Sequence, residues 1–439
     1  MNTRPLGSTG LRVSAIGLGC MGMSDLYGPV DRSESIATVH AALDAGITLL
    51  DTGDFYGMGS NELLLNEALR GRARDRFMVS VKFGALRSPE GGWSGVDGRP
   101  AAVRNFLAYT LRRLGTEYVD IYRLTRVDPA VPIEDTVGAI ADMVKAGYVR
   151  HVGMSEAGAA TLRRAHAVHP ISDLQIEYSL LSRGIEAEIL PACRELGIGV
   201  TAYGVLSRGL LSGHWSSTRA LSKNDFRSHS PRFSGENLDH NLSLVEALRA
   251  VAAAKGATVA QVAIAWVLSR GPDIVPLVGA RRRDRLDEAL GALELDLTPS
   301  DLAEIERAVP PGAAAGDRYD AHSMKLLDSE SAPRDPPRRS RAPSRGRLEP
   351  GSSTGREHAQ RGARGAGSRR RVRDDRIGRR SFPRREEPRR PLRARLREAR
   401  GSARNPSSLR PARRSERRRR RAGVLSGLML RPPARSKWA

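Results

Sequence analysis

The residues in this chain best suited to chemistry are an aspartate, a tyrosine and a lysine. The stretch Thr48-Leu49-Leu50-Asp51-Thr52-Gly53-Asp54-Phe55-Tyr56-Gly57 begins apolar and β-branched, as a buried strand does, then delivers Asp51 and Tyr56 at its C-terminal end. Further along, Phe77-Met78-Val79-Ser80-Val81-Lys82-Phe83 repeats the design and delivers Lys82. A buried Lys–Asp pair beside a phenol makes tyrosine a usable acid near neutral pH: the cation stabilises the phenolate and the carboxylate orients the cation. The same residues would also suit a polar cluster at a strand-end rim, and on their own they leave both readings open.

The elements that must position them alternate regularly. A hairpin turning on Gly7 to Gly10 and a first strand at 15–19 precede a helix at 33–45, with Asp31 or Ser33 as its cap. Strands follow at 47–51, 77–82, 118–123, 148–154, 172–177, 198–203 and 273–278, separated by helices at 60–70, 100–114, 133–145, 158–168, 185–196, 240–254 and 258–269. Helices at 282–290 and from Ser300 to Ala308 end the body, and a Gly-, Ser- and Pro-broken loop covers 204–238. Uniformly apolar strands alternating with helices predict a parallel sheet covered on its outer face. Such a series predicts an α/β (β/α)8 TIM barrel with an N-terminal β-hairpin, whose chemistry sits at the C-terminal strand ends. Asp51, Lys82, Ser155, Gln175 and Tyr203 all fall at or near such ends. Polar residues landing repeatedly on one rim favour an active site over packing.

Charge divides the 439 residues unevenly. The formal net charge is +23, yet residues 331–439 hold roughly 36 Lys and Arg against 9 Asp and Glu, leaving the body slightly acidic. The expectation is a barrel domain over 1–330 and a disordered basic tail over 331–439, which has too few aliphatic side chains to offset chain entropy. Its Arg413–Arg421 run would bind polyanions by counterion release, but without repeat or motif it reads as incidental sequence beyond a lost stop or frameshift, and nucleic acid is expected only through it. Two cysteines, Cys20 and Cys193, fit a reducing compartment. No signal peptide or membrane-length apolar run is visible, which predicts a cytoplasmic protein. Gly17-Leu18-Gly19-Cys20-Met21-Gly22 matches a dinucleotide fingerprint, but loop residues rather than a helix follow it. His166 and His169 lack a further ligand in range, so no metal site is expected.

Taken together, Leu6–Ser14, Asp51–Gly57, Ser60-Asn61-Glu62, Val79–Lys82, Gly153-Met154-Ser155-Glu156, Leu174–Ser179 and Ala202-Tyr203 resemble the aldo-keto reductases over nearly all of 1–330, in particular NADPH-dependent bacterial members. The resemblance implies reduction of an aldehyde or ketone to the alcohol, with NADPH as cofactor and a small carbonyl compound as substrate. It makes Tyr56 the proton donor, tuned by Lys82 and Asp51. It implies that Ser155, Gln175 and Glu156, the last standing where many members have asparagine, hold the nicotinamide carboxamide, that Tyr203 stacks on the ring, and that Met21 lines the same pocket. Leu206, Arg208 and Gly209 would follow the cofactor from the long loop. Gly279, Arg281, Arg285 and Glu288 would form its adenosine end, where a helix start rich in arginine suits a 2′-phosphate; a solvated basic helix start is the plainer alternative.

One position departs from the pattern. Asp120–Pro129 aligns with the stretch in which the family places a catalytic histidine, and Thr125 stands there instead. Threonine can donate a hydrogen bond but carries no charge. Catalysis by Tyr56 and Lys82 is expected to persist with an altered substrate range or rate, Thr125 counting among the catalytic candidates; the alternative is that Arg126 or an ordered water fills the gap. The competing expectation is a nicotinamide-binding regulatory or sensor protein with weak turnover.

Overall fold

Eight strands, each followed on the chain by helix or loop, close on themselves with every neighbour parallel. The computed structural model describes residues 1–331 apart from Asp25, Ala220, Lys223 and Asn224, so the expectation of a disordered tail lies outside the described residues. A hairpin of β1 (Thr3–Pro5) and β2 (Arg12–Ser14) comes first, then the barrel strand β3 (Gly17–Gly19) and helix α1 (Arg32–Asp44). The barrel continues through β4 (Leu49–Gly53), β5 (Met78–Phe83), β8 (Val119–Leu124), β9 (Val149–Ser155), β10 (Ile171–Glu177), β11 (Gly199–Tyr203) and β12 (Ile274–Gly279), which returns to β3. Between β5 and β8 lies a small antiparallel hairpin, β6 (Ala85–Arg87) with β7 (Trp93–Val96). The connecting helices are α2 (Ser60–Leu69), α3 (Pro100–Leu114), α4 (Ile133–Lys145), α5 (Ala159–Val168), α6 (Ile189–Leu196), α7 (Gly235–Ala254) and α8 (Val259–Ser269). After β12 come α9 (Arg283–Leu290), α10 (Pro299–Ala308) and the short α11 (Ala321–Met324).

Local chemistry explains where these elements start and stop. Asp31 caps α1 by accepting from the Glu34 amide. Thr258 and Gln261 form a capping box at α8, and Thr298 with Asp301 another at α10, with Pro299 at the first helical position. The α10 cap is therefore Thr298, two residues before the expected Ser300. The predicted helix at 185–196 divides into a 3-10 turn at Gly184–Glu186 and α6, because Pro191 has no N–H and is tolerated only in a helix's first turn. The β6–β7 hairpin has Gly91 and Gly92 in its turn and Gly95 inside β7, which hid its strands from a periodicity reading. The α1 helix begins at Arg32, well past Gly22. The fingerprint at Gly17–Gly22 thus opens no helix.

Two apolar layers flank the strands. Val39, Leu64, Val103, Ile140, Leu162 and Trp266 are among the helix residues fully buried against the barrel's outer face. At the N-terminal end, Leu6, Leu11 and Val13 of the hairpin segment pack against Leu49, Ile121, Val275 and Leu277 and stopper the barrel. Gly7 has a φ of +73°, and a Cβ there would fall 2.3 Å from the Ser172 carbonyl oxygen, so only glycine lets the turn lie this close beneath β10. With one end stoppered, the C-terminal mouth is where polar residues collect.

Candidate active site

Asp51, at the third position of β4, is the hub. Its Oδ1 accepts from Lys82 Nζ at 2.5 Å, and its Oδ2 accepts from Ser80 Oγ (2.8 Å), Arg123 Nη1 (2.9 Å) and Gln175 Nε2 (2.8 Å). The parallel register sets Asp51 opposite Ser80 and Gly53 opposite Lys82, so strand pairing alone delivers the lysine. Arg123 is fully buried and also binds Asp173 at 2.6 Å, while Thr201 donates to Asp173 at 2.7 Å. Two anions and two cations balance, which makes burial of the set tolerable. Burial alone would raise the Asp51 carboxyl, but Lys82 and Arg123 outweigh it and hold it below the usual range. Burial pulls the Lys82 ammonium down, Asp51 only partly opposes this, and Arg123 adds to it.

Tyr56 follows β4 on a 3-10 turn whose Gly57 and Met58 have left-handed φ values of 53° and 52°. Lys82 Nζ lies 5.0 Å from the centroid of its ring, and its hydroxyl makes no hydrogen bond among the described residues. Burial, then Asp51, push the phenol well above 10, with Arg126 opposing. The sequence reading had Lys82 bringing Tyr56 into a near-neutral range. Here the phenol is instead held firmly in its protonated form.

Thr125 follows β8, and its Oγ1 donates to the Phe83 carbonyl at 2.7 Å. Its only proton is committed to β5, whereas the sequence reading counted Thr125 as a candidate donor. Arg126 takes a different place: Nη1 donates to the Thr125 carbonyl (2.7 Å) and Nη2 to the Tyr319 hydroxyl (3.4 Å). The Phe55 ring meets Tyr56 at 4.7 Å and Trp93 of β7 at 5.3 Å, and Met21 packs on the same apolar group.

Around the rest of the rim the sequence-predicted residues sit as follows. Ser155 is buried, and its Oγ has no partner. Gln175 gives its amide nitrogen to Asp51. Glu156, with φ 50°, accepts from Tyr203 Oη (2.7 Å), the Glu177 amide (3.1 Å), Ser329 Oγ (2.6 Å) and both Arg318 terminal nitrogens (3.0 and 2.7 Å). Burial would raise the Glu156 carboxyl, but Arg318 overrides it and holds it at about 2. Arg208 turns inward to Glu177 at 2.9 Å, under the Tyr319 ring. Ser207, Arg208 and Gly209 all have positive φ, at 46°, 57° and 104°, and Leu206 is half-buried against the core. Left-handed backbone at four non-glycine residues, Met58, Glu156, Ser207 and Arg208, all on one rim, is the kind of strain that gathers at functional sites.

Further out, Arg227 lies over the Tyr27 and Trp215 rings at 4.8 and 4.9 Å, Arg219 over Trp215 at 4.7 Å, and Arg281 donates to the Tyr27 carbonyl at 3.2 Å. Of these three arginines only Arg227 has a carboxylate partner among the described residues, Asp225. Gly279 ends β12 exposed, and Arg285 reaches Glu288 (2.8 Å) and His214 (2.5 Å). His214, Thr258 and Glu288 line a cavity of about 210 Å³. The spare guanidinium charge suits phosphates, and the unsatisfied Ser155 hydroxyl suits an amide, so these residues fit a nicotinamide dinucleotide. Sequence reasoning missed Arg123, Tyr27, Arg227, Arg318 and Tyr319. An arginine inside the otherwise apolar strand Val119–Leu124 was the one available signal, for Arg123.

A closed parallel barrel with an Asp–Lys–Tyr group at its C-terminal mouth and a dinucleotide-suited rim defines a class of barrel oxidoreductases. The profile of the aldo/keto reductase family matches residues 15–310, and the chain belongs to that family. It is 43 % identical over 315 residues to a probable aldo-keto reductase of Glycine max, covering 72 % of this chain and 90 % of the relative. Among solved structures, a glycerol dehydrogenase of Gluconobacter oxydans is similar with a TM-score of 0.64 and 27 % identity, covering 76 % of this chain and 98 % of that one. A thermostable aldo-keto reductase solved with the inhibitor epalrestat gives 0.57 and 27 %, covering 70 % and 100 %. Membership makes the protein an oxidoreductase that works with a nicotinamide cofactor.

Proposed function

We propose that the protein reduces an aldehyde or ketone to the alcohol with NADPH, Tyr56 giving the proton to the carbonyl oxygen. The observation that carries this reading is the Tyr56 hydroxyl, left free and protonated beside the Asp51–Lys82–Arg123 group. Bound NADPH supplies a hydride to the carbonyl carbon. Ser155 would hold the carboxamide through its free hydroxyl. Tyr203, pinned by Glu156, would back the ring. The guanidinium groups of Arg219, Arg227 and Arg281 would take the diphosphate, with Arg285 at the 2′-phosphate. When Tyr56 releases its proton, Lys82 and Arg123 offset the charge left on the phenolate.

The test is Tyr56→Phe. Turnover of a carbonyl panel falls by about 10²–10⁴-fold, as loss of a general acid does, while NADPH affinity by fluorescence titration stays unchanged. Undiminished turnover in that variant rejects the mechanism. The committed hydroxyl of Thr125 favours one second reading, a nicotinamide-binding sensor of weak turnover. Tight NADPH binding without oxidation across the whole panel would establish it.

A further inference from the structure

We propose that Arg126 receives the carboxylate of the substrate, so that the site selects oxo-acids or other carbonyl compounds with an anionic group on an apolar body. This rests on the reductase reading and adds the substrate class to it. The first support is charge balance. The buried arginines Arg123, Arg208, Arg227, Arg232 and Arg318 each have a carboxylate within 4 Å. Arg126, half-buried at the mouth, has none among the described residues. Its contacts are the Thr125 carbonyl and the Tyr319 hydroxyl, which use two of a guanidinium's five N–H donors. Glu156 acts on Arg126 only through space and is itself bonded to Arg318, so a substrate carboxylate would be the first anion in direct contact with this guanidinium, in a geometry that bidentate pairing favours.

The second support is location. Arg126 directly follows Thr125, which is bonded to Phe83 next to Lys82, and it shares Tyr319 with Tyr203 (Oη to Oη 2.9 Å). It therefore stands at the same mouth as Tyr56. The Phe55–Trp93 pair supplies an apolar wall to that mouth, and Trp93 is 57 % exposed, an aromatic face left for a ligand to cover. A cation on one side and rings on another fit an apolar oxo-acid better than a neutral polyol or sugar.

The experiment compares 4-formylbenzoate with 4-formylbenzamide, which differ in charge and little in shape. In the wild type the carboxylate is preferred in kcat/KM, mainly through KM. In Arg126→Met that preference falls roughly 10- to 150-fold, the range for hydrogen bonds to charged groups, and Arg126→Lys keeps part of it. Equal kcat/KM for the two aldehydes in the wild type, or equal losses for both in Arg126→Met, overturns the proposal. The second pattern would mean that Arg126 polarises the carbonyl or holds the cofactor. Calorimetry of 4-formylbenzoate with the NADP⁺-loaded protein, which has no hydride to give, provides a readout independent of turnover. Arg126-dependent binding upholds the anion site even if NADPH goes unoxidised across the whole carbonyl panel, the outcome that rejects the reductase reading, and binding unaffected by Arg126→Met rejects the anion site.

Discussion

Asp51 accepts from four side chains, so it is shared between two cations, and Lys82 is left only partly neutralised. That arrangement has a consequence for pH. Burial and Asp51 raise the Tyr56 phenol above its ordinary value of 10, so the donor form is present throughout the neutral range and is lost only at strongly alkaline pH. Reduction is therefore expected to be level between about pH 6 and 9, because a general acid must be protonated, whereas alcohol oxidation needs the phenolate and should rise steadily through about pH 10. Initial rates in both directions across that range check this; a reduction rate falling through neutrality would contradict it. Thr125 provides a second test. Its hydroxyl bonds to Phe83 rather than facing substrate, so Thr125→Val should cost about 1 kcal/mol of stability, one hydrogen bond's worth, with kcat changed less than about threefold. Parallel thermal melts and steady-state kinetics separate those effects.

At the scale of elements, the segment after α10 acts as a strap. Arg318 ties it to Glu156 at the end of β9 and Glu177 at the end of β10, and Ser329 adds a second bond to Glu156. Tyr319 then lies against Tyr203, Arg126 and Arg208. Removing one partner of a buried pair leaves the other charge uncompensated, so Glu156→Ala should destabilise the fold by about 3–5 kcal/mol. The pH dependence has a definite sign. The Glu156 carboxyl sits at about 2 against an ordinary 4.5. Its contribution is therefore complete above pH 4.5 and is lost as pH falls toward 2. Melting temperatures of wild type and Glu156→Gln should differ most near neutrality and converge in acid. A constant gap would mean that Glu156 does not act through its charge. The variant's KM for NADPH should also rise, since Glu156 fixes the Tyr203 hydroxyl. The sequence assigned Glu156 to the cofactor directly. Its acceptor capacity is instead spent on Arg318, Ser329, Tyr203 and the Glu177 amide, partners that cannot be read from one chain because they lie up to 173 positions away.

The whole molecule divides its work between the two ends of the barrel, and this division was largely legible in the sequence. Strands such as Val149–Ser155 and Ile171–Glu177 fell within a residue of expectation, because their apolar positions (Val149, Val152 and Met154; Ile171, Leu174 and Ile176) follow turn residues at Gly147 and Pro170 that fix where each strand can start. The β6–β7 hairpin was not legible because its glycines interrupt the strand pattern, and the strap was not because it is held by side chains reaching distant partners. Tyr56 and Lys82 could be named from strand ends, whereas Arg123 could not, because its value depends on Asp51 and Asp173 meeting inside the barrel. At the stoppered end, Leu6 is fully buried in a cluster with Leu49, Ile121 and Val275 that contains no site residue except the edge of Tyr203. Deleting most of its side chain leaves a cavity that the tightly docked Gly7 turn cannot collapse into, because its backbone already approaches Ser172 and Gly197. Leu6→Ala should therefore cost about 2–5 kcal/mol. Because this loss lies at the opposite end of the strands from Tyr56 and Lys82, kcat measured well below the melting temperature should match the wild type. A variant that melts earlier with unchanged kcat shows that the hairpin serves stability alone, whereas a parallel fall in kcat would show that the strands transmit its packing to the mouth.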